Sequence, residues 1–189
     1  DKNKIKCEVI PSNIDEDQIK ESLLNEKATP KLISKNLAEL KANKISRIKP
    51  DQLVLGADSV IDLENELISK PKSREEALEI LLKLNGKKHK LISSVCISKN
   101  GSMIWNYTDA SSLTMKRLNL DQIKSYLKKV DDKKLYAYGV YQIEAGGKDN
   151  YPWIHIPVGY YKTMHNPKVD WCFRTEKDES MNNRSIRYP

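Results

Sequence analysis

The sequence has no apolar run of membrane-spanning length, no close pair of cysteines, no P-loop, no GxGxxG and no nucleophile elbow. Each absence removes a class of protein. A transmembrane helix needs about 20 consecutive apolar residues, and nothing here approaches that. No charged-then-apolar leader precedes a small-residue cleavage site, so export is not indicated and a cytoplasmic protein is expected. Cys7, Cys96 and Cys172 stand far apart and read as reduced, structural thiols rather than a metal-binding or disulfide framework. A covalent mechanism or a Walker-type phosphate site has no support.

What is present is a chain of 189 residues, 39% hydrophobic, with a formal net charge of +7. That is enough apolar material for one α/β core with a small appendage. The positive charge admits an anionic partner, either nucleic acid or a small phosphate compound. Lys and Arg alternate with Asp and Glu, as in EEALEILLKLNGKK, and form no long basic block. A solvated basic surface is therefore the preferred reading, and a nucleic-acid patch is disfavoured.

Along the chain, CEVIP reads as a short strand ending at Pro11, after which Asn13 can cap a helix that begins at Ile14-Asp15-Glu16. Two carboxylates at a helix start suit the macrodipole without any function. ATPKLISKNLAELKANKISRI is a helix from Pro30 to about Arg47, with Thr29 as N-cap and proline in its first position. Ile33, Leu37, Leu40 and Ile48 are expected on its inner face, with Lys41 on or beside it. Such a lysine either snorkels to water or meets an anion. LVLGADSVIDL follows as a strand, then a turn at Glu64-Asn65-Glu66, then Lys70-Pro71. Ser73 and Glu76 form a capping box for SREEALEILLKL, which Gly86 ends. Asn100-Gly101 separates two strand patterns and signals a hairpin. NLDQIKSYLKKV is a short amphipathic helix, and LYAYGVYQIEAGG reads as a strand entering a glycine turn. His89 is expected as a half-exposed strand residue, and His155 and His165 receive no role.

Asp58 stands out because it interrupts an apolar strand. An ionised carboxylate there costs several kcal/mol unless it is paired, hydrogen-bonded or bound to a metal. Either the strand ends at Asp58 and the carboxylate caps a turn, or it faces a cleft with a partner. Gly56, two residues earlier, lets another group approach the backbone.

Taken in order, IDE (Ile14 to Glu16), LAELKA (Leu37 to Ala42), GADSV (Gly56 to Val60), SKP (Ser69 to Pro71), EEALEILLKLNGKKHKLISSV (Glu75 to Val95) and YQIEAGG (Tyr141 to Gly147) resemble the Maf family of nucleotide pyrophosphatases. The resemblance implies an elongated α/β fold of the Maf and inosine-triphosphatase kind, with a mixed sheet and a nucleotide cleft. It implies hydrolysis of a nucleoside triphosphate to a monophosphate and pyrophosphate with a divalent cation, Mg2+ or Mn2+. Asp58 falls on the proton acceptor and a metal ligand, Glu16 on a second metal ligand, and Lys41 and Lys70 on phosphate-binding lysines. A divalent ion and two lysines can neutralise the charge of a triphosphate under attack, and a nearby carboxylate can take the proton from water.

The same resemblance places substrate specificity at Ser59 and Glu144. Ser59 leans to members that prefer dTTP and UTP; Glu144 leans to those that prefer 7-methyl-GTP, because a carboxylate can accept from guanine N1 and N2. The family opens with a strand and a Ser-x-Ser-x-x-Arg phosphate loop, whereas this sequence begins at the strand leading to IDE. Residues 1–147 are thus expected to form the nucleotide pyrophosphatase domain without that element. Residues 148–189 are expected to be a divergent tail, a diverged or frame-altered replacement that does not complete the fold. The alternative to an enzyme is a catalytically weak module that binds nucleotide or a protein. An RNA-binding domain rests only on charge and on the aromatics of the tail. A homodimer is compatible with the family, and no membrane partner is expected.

Overall fold

A computed structural model of the chain describes residues 7–132, 135–136 and 140, together with the backbone of residues 154–155. Its elements are α1 (Glu16–Asn25), α2 (Pro30–Ile48), β1 (Val54–Leu63), β2 (Glu66–Ile68), α3 (Arg74–Leu84), β3 (Lys88–Lys99), β4 (Ser102–Met115), α4 (Leu120–Lys129) and β5 (Ile154–His155). The five strands form one sheet in the order β2-β1-β3-β4-β5. Every pairing in it is antiparallel, so the mixed sheet that the resemblance implies is not seen among the described residues.

Local chemistry sets the boundaries. Thr29 Oγ1 accepts from the Leu32 amide and Pro30 opens α2. Ser73 Oγ accepts from the Glu76 amide; the Glu76 carboxylate, however, reaches back to the Lys72 N–H at 2.7 Å rather than to Ser73, so the box closes one residue early. Asn119 and Gln122 form a complete capping box for α4. Asn100 and Gly101 both have positive φ, as a two-residue hairpin of strongly twisted strands requires.

Four expectations need correction. Cys7–Ile10 is not assigned to a strand. The N-cap of α1 is Asp15, whose carboxylate accepts from the Gln18 amide at 3.0 Å; Asn13 has φ +48° and gives its carbonyl to Lys44 Nζ. In α2, Leu40 and Ile48 are exposed, and the buried face is Ile33, Ser34, Leu37, Ala38, Ala42, Ile45 and Ser46. The helix is turned toward its small residues because Gly56 of β1 lies against it: a Cβ at Gly56 would stand 2.3 Å from the Ala38 carbonyl oxygen and 2.7 Å from the Ala42 nitrogen. Finally, Leu135 and Tyr136 are helical rather than extended, with the Leu135 N–H bonded to the Asp131 carbonyl and the Leu135 side chain buried. The YQIEAGG segment and the tail, apart from β5, lie outside the described residues.

The strands alternate between two faces. On one, Ile61 and Leu91 pack with Leu63, Leu113, Met115 and the apolar sides of α3 and α4. On the other, Ala38 and Ala42 of α2 pack with Cys96. Gly56 and Asp58 belong to this second face. Helix α1 buries no residue completely. Ile19 and Leu23 are half-buried on it, and ionic and polar contacts add to its attachment: Lys41 to Glu16, Lys72 to Asp17, and Lys44 to the Asn13 carbonyl just ahead of it.

Candidate active site

Asp58 lies in the middle of β1, opposite Ser94 of β3, which lies opposite Thr108 of β4. The strand does not end there, and the carboxylate caps no turn. Its backbone carbonyl accepts from Ser34 Oγ of α2 at 3.1 Å. Its side chain is 7% exposed, and Oδ1 accepts from Lys41 Nζ at 2.8 Å. The close approach of α2 over Gly56 brings Lys41 within this distance.

Lys41 also reaches Glu16 Oε1, at 2.7 Å, at the first residue of α1. One ammonium therefore holds together two carboxylates that are 42 residues apart in the chain. The electrostatics follow the burial. Desolvation pushes the Asp58 carboxyl above the ordinary carboxylate value, with the Lys41 charge and hydrogen bond opposing without cancelling it. Glu16 is also lifted by burial, but the hydrogen bond and charge of Lys41, helped by Lys20 and Lys70, outweigh it and hold the group low. For Lys41, desolvation pulls downward, and Asp58 and Glu16 overcome it to keep the ammonium charged.

The second oxygen of Asp58, Oδ2, is buried and has no hydrogen-bond partner. A buried carboxylate oxygen is rarely left so, and this one keeps its capacity to accept a hydrogen bond or a cation. Among the described residues no group of three His, Cys, Asp or Glu side chains could hold a metal ion by itself.

Lys70 is exposed after β2, makes no direct ion pair with either carboxylate, and lies near enough for its charge to act on Glu16. Ser59 points to the opposite face from Asp58, because neighbouring strand residues alternate, and its hydroxyl pairs with Ser93 Oγ at 2.9 Å. Glu144 lies outside the described residues. The structure thus brings Glu16, Lys41 and Asp58 together, with Lys70 at the margin and Ser59 turned away. Sequence reasoning missed Lys20, whose Nζ is 3.4 Å from Glu16 Oε2; its place four residues after Glu16 was the available signal. His89, expected half-exposed, is buried on β3, and burial pulls its pKa below the ordinary value against a hydrogen bond that its ring donates to the Lys87 backbone.

Residues 1–151 match the family model described as Maf-like protein. The chain belongs to the Maf-like family. Among its Maf-like relatives, a nucleoside triphosphate pyrophosphatase of Pelagibacter ubique (strain HTCC1062) is 65% identical over 149 residues, covering 79% of this chain and 76% of the relative. A nucleoside triphosphate pyrophosphatase of Ruegeria pomeroyi (strain ATCC 700808 / DSM 15171 / DSS-3) is 38% identical over 134 residues, 71% of this chain and 67% of that one. A 7-methyl-GTP pyrophosphatase of Brucella abortus biovar 1 (strain 9-941) is 34% identical over 136 residues, covering 72% and 68%. The motifs of the Maf-like resemblance fall at the start of α1, on the inner face of α2, in the centre of β1 and just after β2.

Proposed function

We propose that this chain is a nucleoside triphosphate pyrophosphatase that cleaves its substrate to a nucleoside monophosphate and pyrophosphate with a divalent cation. The observation that carries the reading is Asp58: a buried strand carboxylate held by Lys41 through one oxygen, with the other oxygen free of hydrogen bonds. The 65% identity to a nucleoside triphosphate pyrophosphatase supports the same class.

Glu16 and Asp58 offer hard oxygen donors, and a buried carboxylate oxygen without a partner suits a small divalent cation. Mg2+ commonly binds through one or two carboxylates, substrate phosphates and water, so the pair fits it although they form no complete protein cage. When bound, the cation supplies charge neutralisation for the phosphates. The Asp58 carboxylate accepts a proton from water, whose oxygen forms a new bond to phosphorus while the anhydride bond between the α and β phosphates breaks. Its pKa, raised by burial, makes Asp58 a better base than an exposed carboxylate. Lys41 and Lys70 hold phosphate oxygens, Lys41 from the buried side and Lys70 from the rim.

The proposal extends to the elongated fold of the Maf and inosine-triphosphatase kind, with residues 1–147 as the nucleotide domain and 148–189 as a divergent tail. A cytoplasmic homodimer belongs to it as well, on the family resemblance. For the base, Ser59 and Glu144 lean in different directions, and the preference is read directly from a substrate panel. The test is product analysis with GTP, 7-methyl-GTP, dTTP and UTP in Mg2+ or Mn2+. Monophosphate and pyrophosphate in equal amounts are expected. Nucleoside diphosphate with inorganic phosphate would refute the reaction, and nucleotide binding without turnover by folded protein would make the chain a binding module.

A further inference from the structure

Lys20 belongs to none of the motifs that mark the site, yet it lies inside it. It stands one helical turn after Glu16 on α1, and Glu16 sits between two lysines: Lys41 on Oε1 and Lys20 on Oε2. A Glu–Lys pair four residues apart on a helix surface contributes a few tenths of a kcal/mol and leaves the ammonium in water. Lys20 does not follow that pattern. Its side chain is 13% exposed, less than the 20% of Lys41, on a helix that buries no residue completely. A single 3.4 Å contact to a carboxylate that Lys41 shares leaves its other N–H donors uncommitted. Its positive charge also acts on both Glu16 and Asp58.

We propose that Lys20 is a third phosphate-holding lysine of this site, in addition to Lys41 and Lys70. The inference rests on the pyrophosphatase reading above. Were Glu16 to hold the divalent cation, Lys20 would lose its carboxylate partner, and its N–H donors would be available to a phosphate oxygen. Glu16 holds the lysine in place in the absence of substrate, and would release it when the cation and the triphosphate are bound. Lys20 binds phosphate charge common to all substrates, so it contributes to affinity and not to the choice of base.

The test separates this role from the reaction itself. Inorganic tripolyphosphate with Mg2+ is titrated calorimetrically into the wild-type chain, Lys20→Met and Lys20→Arg, and steady-state pyrophosphate release is measured in parallel. Lys20→Met is expected to bind tripolyphosphate about tenfold more weakly, as the loss of one charge-assisted hydrogen bond predicts. Its KM is expected to rise by about the same factor for every base while kcat stays within about threefold, with Lys20→Arg close to wild type. If the methionine variant does not fold, Lys20→Gln takes its place. Equal tripolyphosphate affinity in wild type and a folded charge-deleted variant overturns the role of Lys20, and turnover by the wild type then leaves the reaction standing. A wild type without turnover overturns the pyrophosphatase reading, and the tripolyphosphate titration still decides for or against Lys20.

Discussion

Gly56 lies so close to Ala38 that no side chain fits between β1 and α2: a Cβ on the glycine would stand 2.3 Å from the Ala38 carbonyl oxygen. The obstacle is backbone, which cannot swing aside as a flexible side chain can. This contact sets the depth of α2 over the sheet and hence the reach of Lys41 to Asp58.

Gly56→Ala is therefore expected to destabilise the protein by about 3 kcal/mol, at the upper end of ordinary overpacking. It should also weaken activity by lifting Lys41 away from Asp58. Denaturant unfolding together with steady-state kinetics checks both; an alanine variant as stable as wild type would mean that the helix can retreat at little cost.

Asp58→Asn should lower kcat by about a thousandfold, within the range lost with a general base. The fold should survive. Lys41 keeps an oxygen acceptor at the same position, and the amide nitrogen replaces an atom that already lacks a partner. Rates within tenfold of wild type, from protein with an unchanged melting temperature, would remove Asp58 as the base.

Acid stability has a signature at His89. Burial holds its pKa below the ordinary value of 6.5, so the unfolded chain takes up the proton first. The stabilisation from keeping this imidazole neutral is complete above about pH 6.5 and is lost as pH falls through that value toward the folded pKa. The loss can reach about 1.4 kcal/mol per pH unit for one proton. Urea unfolding of wild type and His89→Gln at pH 7.5 and pH 5.5 should show a smaller drop in the variant; parallel curves would assign the acid loss to other groups.

Glu144→Gln should shift the relative rates away from guanine nucleotides, since the amide replaces one of the two accepting oxygens that would face N1 and N2 with an NH2 donor. A competition assay between 7-methyl-GTP and UTP reads the ratio directly. An unchanged ratio would take Glu144 out of base recognition.

Much of this architecture was legible because its signals are local. Thr29-Pro30 and Asn100-Gly101 each fix a boundary through chemistry confined to a few neighbouring residues. The inner face of α2 was misread because Leu40 and Ile48 are larger than Ala38 and Ala42, and only the contact with Gly56, far along the chain, makes the small residues the right ones to bury. His89 was misread for a related reason: burial of a polar ring depends on what packs over it. In the site, Asp58 announced itself as a carboxylate among apolar strand residues, and the resemblance supplied its partners. The resemblance named Glu16 as well, whereas Lys20 could not be told from an ordinary charged helix residue until α1 and α2 brought Glu16 and Lys41 together.

Helix α1 carries Glu16 and Lys20 to the site, yet it buries no side chain completely and is tied down in part through charges. Such contacts weaken as dissolved ions screen them, and the sheet beneath does not. Ionic strength thus acts on the two ends of the same site unequally: Asp58 stays where the strand puts it, while the residues opposite are free to come and go. Amide hydrogen exchange should find α1 opening well before the rest of the molecule unfolds, and more readily in salt. The protein would then sense its solution through the very contacts that assemble the site.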